Sequence, residues 1–189
     1  MAIDVITYRA PAVYPGDLTR TQSPFTTETG IQLAANPVTL FGVPVQMDIT
    51  SGHYQPATAS TVTQNNSGAT PYNTIVGFSV RTFPTQSASN GSIGTAGPLA
   101  TDTLTILKEG YIGVSVYGSG TAPVKGGPVY VGIVANAGVT AVGRVSSAAD
   151  STNSILILGA HFTGGVDSNG NAEIFFRAES NFYVANAGV

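Results

Sequence analysis

The chain has 189 residues, and seven Lys and Arg against ten Asp and Glu leave it a formal charge of −3. Only 9% of its residues are charged; 16 Ser, 23 Thr, 23 Gly and 11 Pro stand where an ordinary domain carries charge. There is no basic surplus for nucleic-acid phosphates and too little Glu and Lys for a helical bundle, and 42% hydrophobic residues exclude general disorder.

Residues 1–37 read as an extended arm. Pro11, Pro15, Pro24 and Pro37 interrupt it, and Arg9, Asp17, Arg20 and Glu28 give it a large share of the charge. Ile3–Val5 is a short strand candidate. Glu28–Ala35 is expected to make one or two helical turns, stopped by Asn36-Pro37. An acid at Asp4, with no apolar run behind a basic start, argues against a cleaved signal peptide.

Residues 38–189 are expected to form a single β domain. Leu40–Met47 is a strand with Pro44 inside it, which points to an edge strand or a bend, because Pro cannot donate to a ladder. Residues 49–73 hold one hairpin, with turn chemistry at Asn65-Asn-Ser-Gly68. Thr74–Phe83 alternates, Val76, Phe78 and Val80 on one face and Gly77, Ser79 and Arg81 on the other. A long small-residue loop follows over 84–103. Leu104–Leu107, Tyr111–Tyr117, Val129–Ala135, Val139–Val145, Ile155–Phe162 and Ala172–Ala178 continue the series. Asp167-Ser-Asn-Gly-Asn171 joins the last two as a hairpin. Eight to ten short strands at spacings of roughly 8–15 residues, with almost no helix, predict an all-β, antiparallel sandwich, jelly roll or barrel. No stretch reaches the ~18 apolar residues of a membrane helix.

Chemistry is sparse. Zero Cys removes disulfides, thiolate nucleophiles and Cys-ligated zinc, and two histidines, His53 and His161, are too few for a three-His metal site. No nucleophile-elbow motif orders a Ser–His–Asp set. Asp167-Ser-Asn169-Gly-Asn171-Ala-Glu173 places oxygens at alternate positions, as a calcium loop does, but its Gly is early and the bidentate acid is missing, so a hairpin turn is the favoured reading. Gly118–Gly127 is rich in Gly but lacks phosphate-loop spacing and a following helix. Tyr111, Tyr117 and Tyr130 lie on strands expected to be neighbours, either as cross-strand packing or as a wet contact face. No catalytic residue, cofactor site or metal site is assigned.

Several segments resemble a known family. They are Pro15-Gly-Asp-Leu-Thr-Arg20, Val76-Gly-Phe-Ser-Val-Arg-Thr-Phe-Pro84, Leu107-Lys-Glu-Gly-Tyr-Ile-Gly-Val114, Val124-Lys-Gly-Gly-Pro-Val-Tyr-Val131, Asn153–Phe162 and Gly170-Asn-Ala-Glu-Ile-Phe-Phe176. In this order they are similar to the structural cement, or decoration, proteins of tailed bacteriophage heads, over most of residues 15–178. The resemblance implies a jelly-roll-like β domain, assembled as a homotrimer on the outer surface of the phage head. It would be made in the bacterial host cytoplasm and would bridge copies of the major capsid protein. It implies no enzyme activity, no cofactor, no nucleic-acid partner and no membrane. A trimer would also hide sheet edges. Arg9, Tyr14, Asp17, Arg20, Tyr111, Tyr117 and Tyr130 are the candidate partner contacts. The arm is expected to order on assembly, across a neighbouring protomer or along the capsid. The competing assignment is a glycan-binding, adhesin-like β module of a phage tail or fibre. It would make contact through Tyr111, Tyr117, Tyr130 or loop 84–103; the lack of Trp and of acid clusters argues against it.

Overall fold

The computed structural model describes residues 13–20, 23–48, 50–58, 75–81, 97–98, 103–118, 121–138 and 140–178. Nine strands form one all-β structure: β1 Thr26–Ile31, β2 Pro44–Met47, β3 Tyr54–Pro56, β4 Ile75–Ser79, β5 Thr103–Ser115, β6 Pro128–Gly132, β7 Val145–Ser146, β8 Ser154–Phe162 and β9 Asn171–Arg177. The sheet runs β3-β2-β4-β5-β9-β8-β6-β7, with β1 also on β5, and every strand pair is antiparallel. The expected all-β, antiparallel, sandwich-like architecture is the fold. Among the described residues the only helical element is the 3-10 turn Ser151–Asn153.

The thirteen-residue β5 organises the rest. Leu107 pairs with Thr27 of β1 and Phe78 of β4; Glu109 pairs with Thr26 of β1 and Arg177 of β9. A strand has two edges, so β1 holds one, while β4 and then β9 share the other. Two strands were expected here, broken near Lys108-Glu-Gly. Instead Gly110, at φ +138°, takes the bend, beside a register shift between Thr26 and Thr27, and the ladder continues.

Both ends of the sheet order are stitched back to β5's own neighbourhood. Gln32, which follows β1, bridges Tyr54 of β3, and Leu33 N donates to Tyr54 O at 2.8 Å. Val116, which follows β5, bridges Val145 of β7, and Tyr117 N donates to Val145 O at 2.8 Å. The sheet thus closes on itself twice, once on each half of β5. Each closure encloses apolar side chains. One cluster holds Phe78, Ile112, Val114, Val131, Phe162, Ile174 and Phe176 among others; the second holds Val38, Val45, Tyr54, Leu104 and Ile106. Phe78 and Phe176 meet edge-to-face at 5.1 Å inside the first.

Several local expectations are corrected. The helical turns at Glu28–Ala35 are replaced by β1 and a turn in which Asn36 N donates to Leu33 O. Thr26, Thr27 and Thr29 are β-branched, and six ladder partners on β5 outweigh a short local helix. β2 is not an edge strand, for β3 and β4 flank it; Pro44 is tolerated because it opens the strand. β2 and β3 are joined through a turn closed by Asp48 N donating to His53 O, while the turn expected at Asn65–Gly68 lies outside the described residues. The strand predicted over Val139–Val145 shrinks to Val145–Ser146. Its start is taken by an Asn136–Thr140 turn, where the Asp150 carboxylate accepts from Asn136 Nδ2 and Thr140 Oγ1, both at 3.0 Å. Ile3–Val5 and most of loop 84–103 lie outside the described residues.

Candidate functional site

The strap formed by residues 13–20 lies along the free edge of the C-terminal half of β5. Gly16 N donates to Gly113 O at 2.8 Å, Gly113 N to Asp17 O at 3.0 Å and Thr19 N to Tyr111 O at 3.2 Å. Leu18 bridges Ile112 in antiparallel sense. The chain therefore supplies its own added strand here. Gly16 stands at φ +89°, and a Cβ on it would lie 2.6 Å from Phe41 Cβ, so the close crossing needs glycine.

Two arginines fasten the strap. The side chain of Arg81 is only 3% exposed; its Nε and Nη2 reach Pro15 O at 3.4 and 3.3 Å, and its Nε lies 3.5 Å from Asp17 Oδ1. Its guanidinium sits 5.1 Å from the Phe41 ring centroid and 6.0 Å from that of Tyr14. Partial burial pushes the Asp17 carboxyl up, against the pull of the Arg81 charge. At the other end Arg20 clasps Glu173 of β9, with Nη2 2.6 Å and Nε 3.0 Å from Oε1, and lies 4.2 Å over the Tyr111 ring. Thr163 Oγ1 donates to the same Glu173 oxygen at 2.6 Å. Burial alone would raise the Glu173 carboxyl, but the bonds from Arg20 and Thr163 outweigh it and hold the group below the usual carboxylate range.

Beyond Arg20, one transverse row crosses four strands in register: Tyr111 of β5, Phe175 of β9, His161 of β8 and Pro128 of β6. Tyr111 meets Phe175 edge-to-face at 5.1 Å, and Phe175 lies 5.3 Å from His161. Arg20, Tyr111, Phe175 and His161 thus make a firm, polar-edged outer face. Tyr117 and Tyr130 are not in it. Tyr117, 37% exposed, lies just past β5, and Tyr130 on β6 pairs with Ser146 and Leu156, with β9 and β8 between it and β5. Tyr14 is exposed at the head of the strap, and Arg9 lies outside the described residues. Sequence reading singled out Arg20 and Tyr111, weighed Glu173 only in a calcium-like spacing, and passed over Phe175. Nothing local in 172–178 says that β9 lies beside Tyr111.

At the end of the sheet, the strap, the loop before β2, the end of β5, Arg144 and the β8–β9 hairpin tip surround a cleft of about 330 Å³. Tyr14 and Phe41 wall it, with Arg81, Arg144, Asn169 and Asn171 on its lining. The hairpin tip is the turn expected at Asp167–Asn171: Asp167 Oδ1 accepts from the amides of Asn169 and Asn171 at 2.8 and 2.9 Å, and Gly170 adopts φ +76°. Glu173, the acid of the calcium-like spacing, is spent on Arg20 instead. His53 lies at the β2–β3 turn and His161 on β8, with three strands between them in the sheet order. Among the described residues no group of three or more His, Asp or Glu is placed to hold a metal ion.

A family model described as structural cement protein (E217 gp24/Pam3 gp6) matches residues 4–177. No curated protein matches the chain. Among solved structures, a chain of the capsid of Myoviridae phage XM1 is similar in fold, with a TM-score of 0.60 and 19% identity over 94% of this chain and 98% of that one.

Proposed function

The chain belongs to the structural cement protein family, and from that premise we propose that it decorates the outside of a phage head as a non-enzymatic homotrimer bridging major capsid protein subunits. The observation that carries this reading is the span of the family match, which takes in the strap and all nine strands. A stiff outer face of interlocked side chains suits docking on a lattice better than it suits chemistry. The Arg20, Tyr111 and Phe175 rings and charges are already held in place, so little side-chain freedom is lost on binding. In this reading Tyr14, Asp17, Arg20, Tyr111, Tyr117 and Tyr130 are capsid or inter-protomer contacts, and residues 1–12, with Arg9, extend from the strap towards a neighbouring protomer or the shell.

The stabilisation follows from linkage. A partner that binds only the expanded lattice favours that lattice by mass action, and three protomers joined in one particle add modest contacts through effective concentration. The glycan-binding reading needs a bare aromatic platform. Arg20 lies over the Tyr111 ring, which leaves that face occupied.

Co-sedimentation of the purified protein with expanded, undecorated heads of its phage tests the proposal, with the light-scattering mass of the free protein measured alongside. Saturable binding and a free mass near three chains are expected. Failure to bind expanded heads overturns the decoration role; binding by a species that stays monomeric on and off the shell overturns the trimer.

A further inference from the structure

We propose that the cleft between the strap and the β8–β9 hairpin is a receptor for a carboxylate side chain, an Asp or Glu presented by a capsid subunit; this rests on the decoration role above.

Charge accounting points there. Four of the cations in the described residues have carboxylate partners: Arg20 with Glu173, Arg81 with Asp17, Lys108 with Glu28 and Arg177 with Glu109. Arg144 and Lys125 have none among the described residues. Lys125 stands in the exposed 124–127 turn, whose closing bond runs from Gly127 N to Val124 O, so water serves it. Arg144 is half-buried and lines the cleft. Its one side-chain bond among the described residues runs from Nη1 to Ser115 Oγ at 3.2 Å, and Ser115 lines the same cleft. That bond orients the guanidinium and leaves most of its five donors for another acceptor.

The rest of the lining fits the same ligand. The side-chain amides of Asn169 and Asn171 make no hydrogen bond among the described residues, so both can donate. Asp167 is not on the lining: its Oδ1 is committed to the two backbone amides of the turn, and its Oδ2 is buried within the turn. Arg81 and Asp17 neutralise one another at the back, so the uncompensated charge on the lining is that of Arg144. Tyr14 and Phe41 keep part of the rim dry, which strengthens a charge-assisted bond to a planar carboxylate. Because Tyr14 and Pro15 form one wall, the cleft is complete only while the strap is docked. That ties the receptor to the segment that leads out of the domain.

The test is a binding titration on expanded heads with wild-type protein, Arg144→Gln and Lys125→Gln. The two variants change net charge equally, and only one touches the cleft. Arg144→Gln is expected to bind at least about tenfold more weakly with a shallower salt dependence, at an unchanged melting temperature, while Lys125→Gln binds like wild type. A second arm uses Arg144→Lys, whose amine a carbodiimide joins directly to a carboxylate; a cross-link from position 144 to an Asp or Glu of the major capsid protein is expected. Equal weakening by both Gln variants means general charge steering and overturns the receptor. Full-strength binding by Arg144→Gln, or a loss of binding with no cross-link to a capsid carboxylate, overturns it too. If the wild-type protein fails to bind heads, the decoration role falls first and the receptor with it.

Discussion

At the scale of single residues, the determinants are places where two groups need the same small volume or the same charge. Gly30 in β1 is one. A Cβ there would lie 2.1 Å from Cε2 of Tyr54, whose ring is only 4% exposed, so the ring lies flat on bare backbone. Gly30→Ala is expected to cost about 1–3 kcal/mol and to lower Tm by at least about 3 °C in a thermal melt; an unchanged Tm would show that the ring moves freely. Burial, with Glu28 as hydrogen-bond acceptor, pushes the Tyr54 hydroxyl up to about 12, and the bond from Tyr54, with Lys108, holds Glu28 below its usual range. Glu173 is lowered in the same sense. A carboxyl with a native pKa below its unfolded value stabilises the fold above that unfolded value, about 4.3 for Glu, and loses the contribution as pH falls through the native one. Asp17, raised by burial, has the opposite sign: its contribution is present in acid and fades as pH rises. Glu173→Gln is expected to cost about 1 kcal/mol at neutral pH, since Arg20 is half exposed, and to flatten the acid-side loss of Tm below about pH 5. Parallel Tm curves for variant and wild type would remove Glu173 from that account.

At the scale of elements, the strap and β5 act as one unit. The strap is held by backbone bonds, by the packing of Leu18 on the larger cluster and by the two arginine clasps. Gly16→Ala puts a methyl into Phe41 and a side chain at φ +89°, so the strap is expected to lift while the strands stay folded. Hydrogen exchange reads this directly: the amides of Thr19 and Gly113 are expected to exchange at least about tenfold faster, with β9 amides unchanged. Uniform acceleration across β9 would mean that the strap is part of the global fold. β5 itself shows how a bend was mistaken for a break. The sequence reading ends one strand at Leu107 and begins the next at Tyr111, yet Gly110 bends one strand that has partners on both edges.

At the scale of the whole molecule, two apolar clusters share β5: Leu104 and Ile106 face one, Leu107, Ile112 and Val114 the other. Neither half keeps its ladder if β5 melts, so unfolding is expected to be a single cooperative transition. Leu104→Ala in one cluster and Ile174→Ala in the other are each expected to cost about 2–5 kcal/mol and to shift the same midpoint in urea. Two resolved transitions in either variant would show that the halves are independent.

The sequence by itself determined what is local. Low charge, period-2 alternation and turn residues were enough for the all-β class and for the Asp167–Asn171 turn, because each rests on the chemistry of residues a few positions apart. Family likeness was legible for the same reason, carried by strand and turn segments. Tertiary structure alone decided that β1 is a strand, that β2 is internal, and that Arg20 meets a glutamate 153 positions away. It also brought Arg144 to a cleft walled by Tyr14. Strand neighbours are selected by which long-range pairing buries the most apolar surface and satisfies the most backbone groups, and alternation along one strand carries no record of that choice.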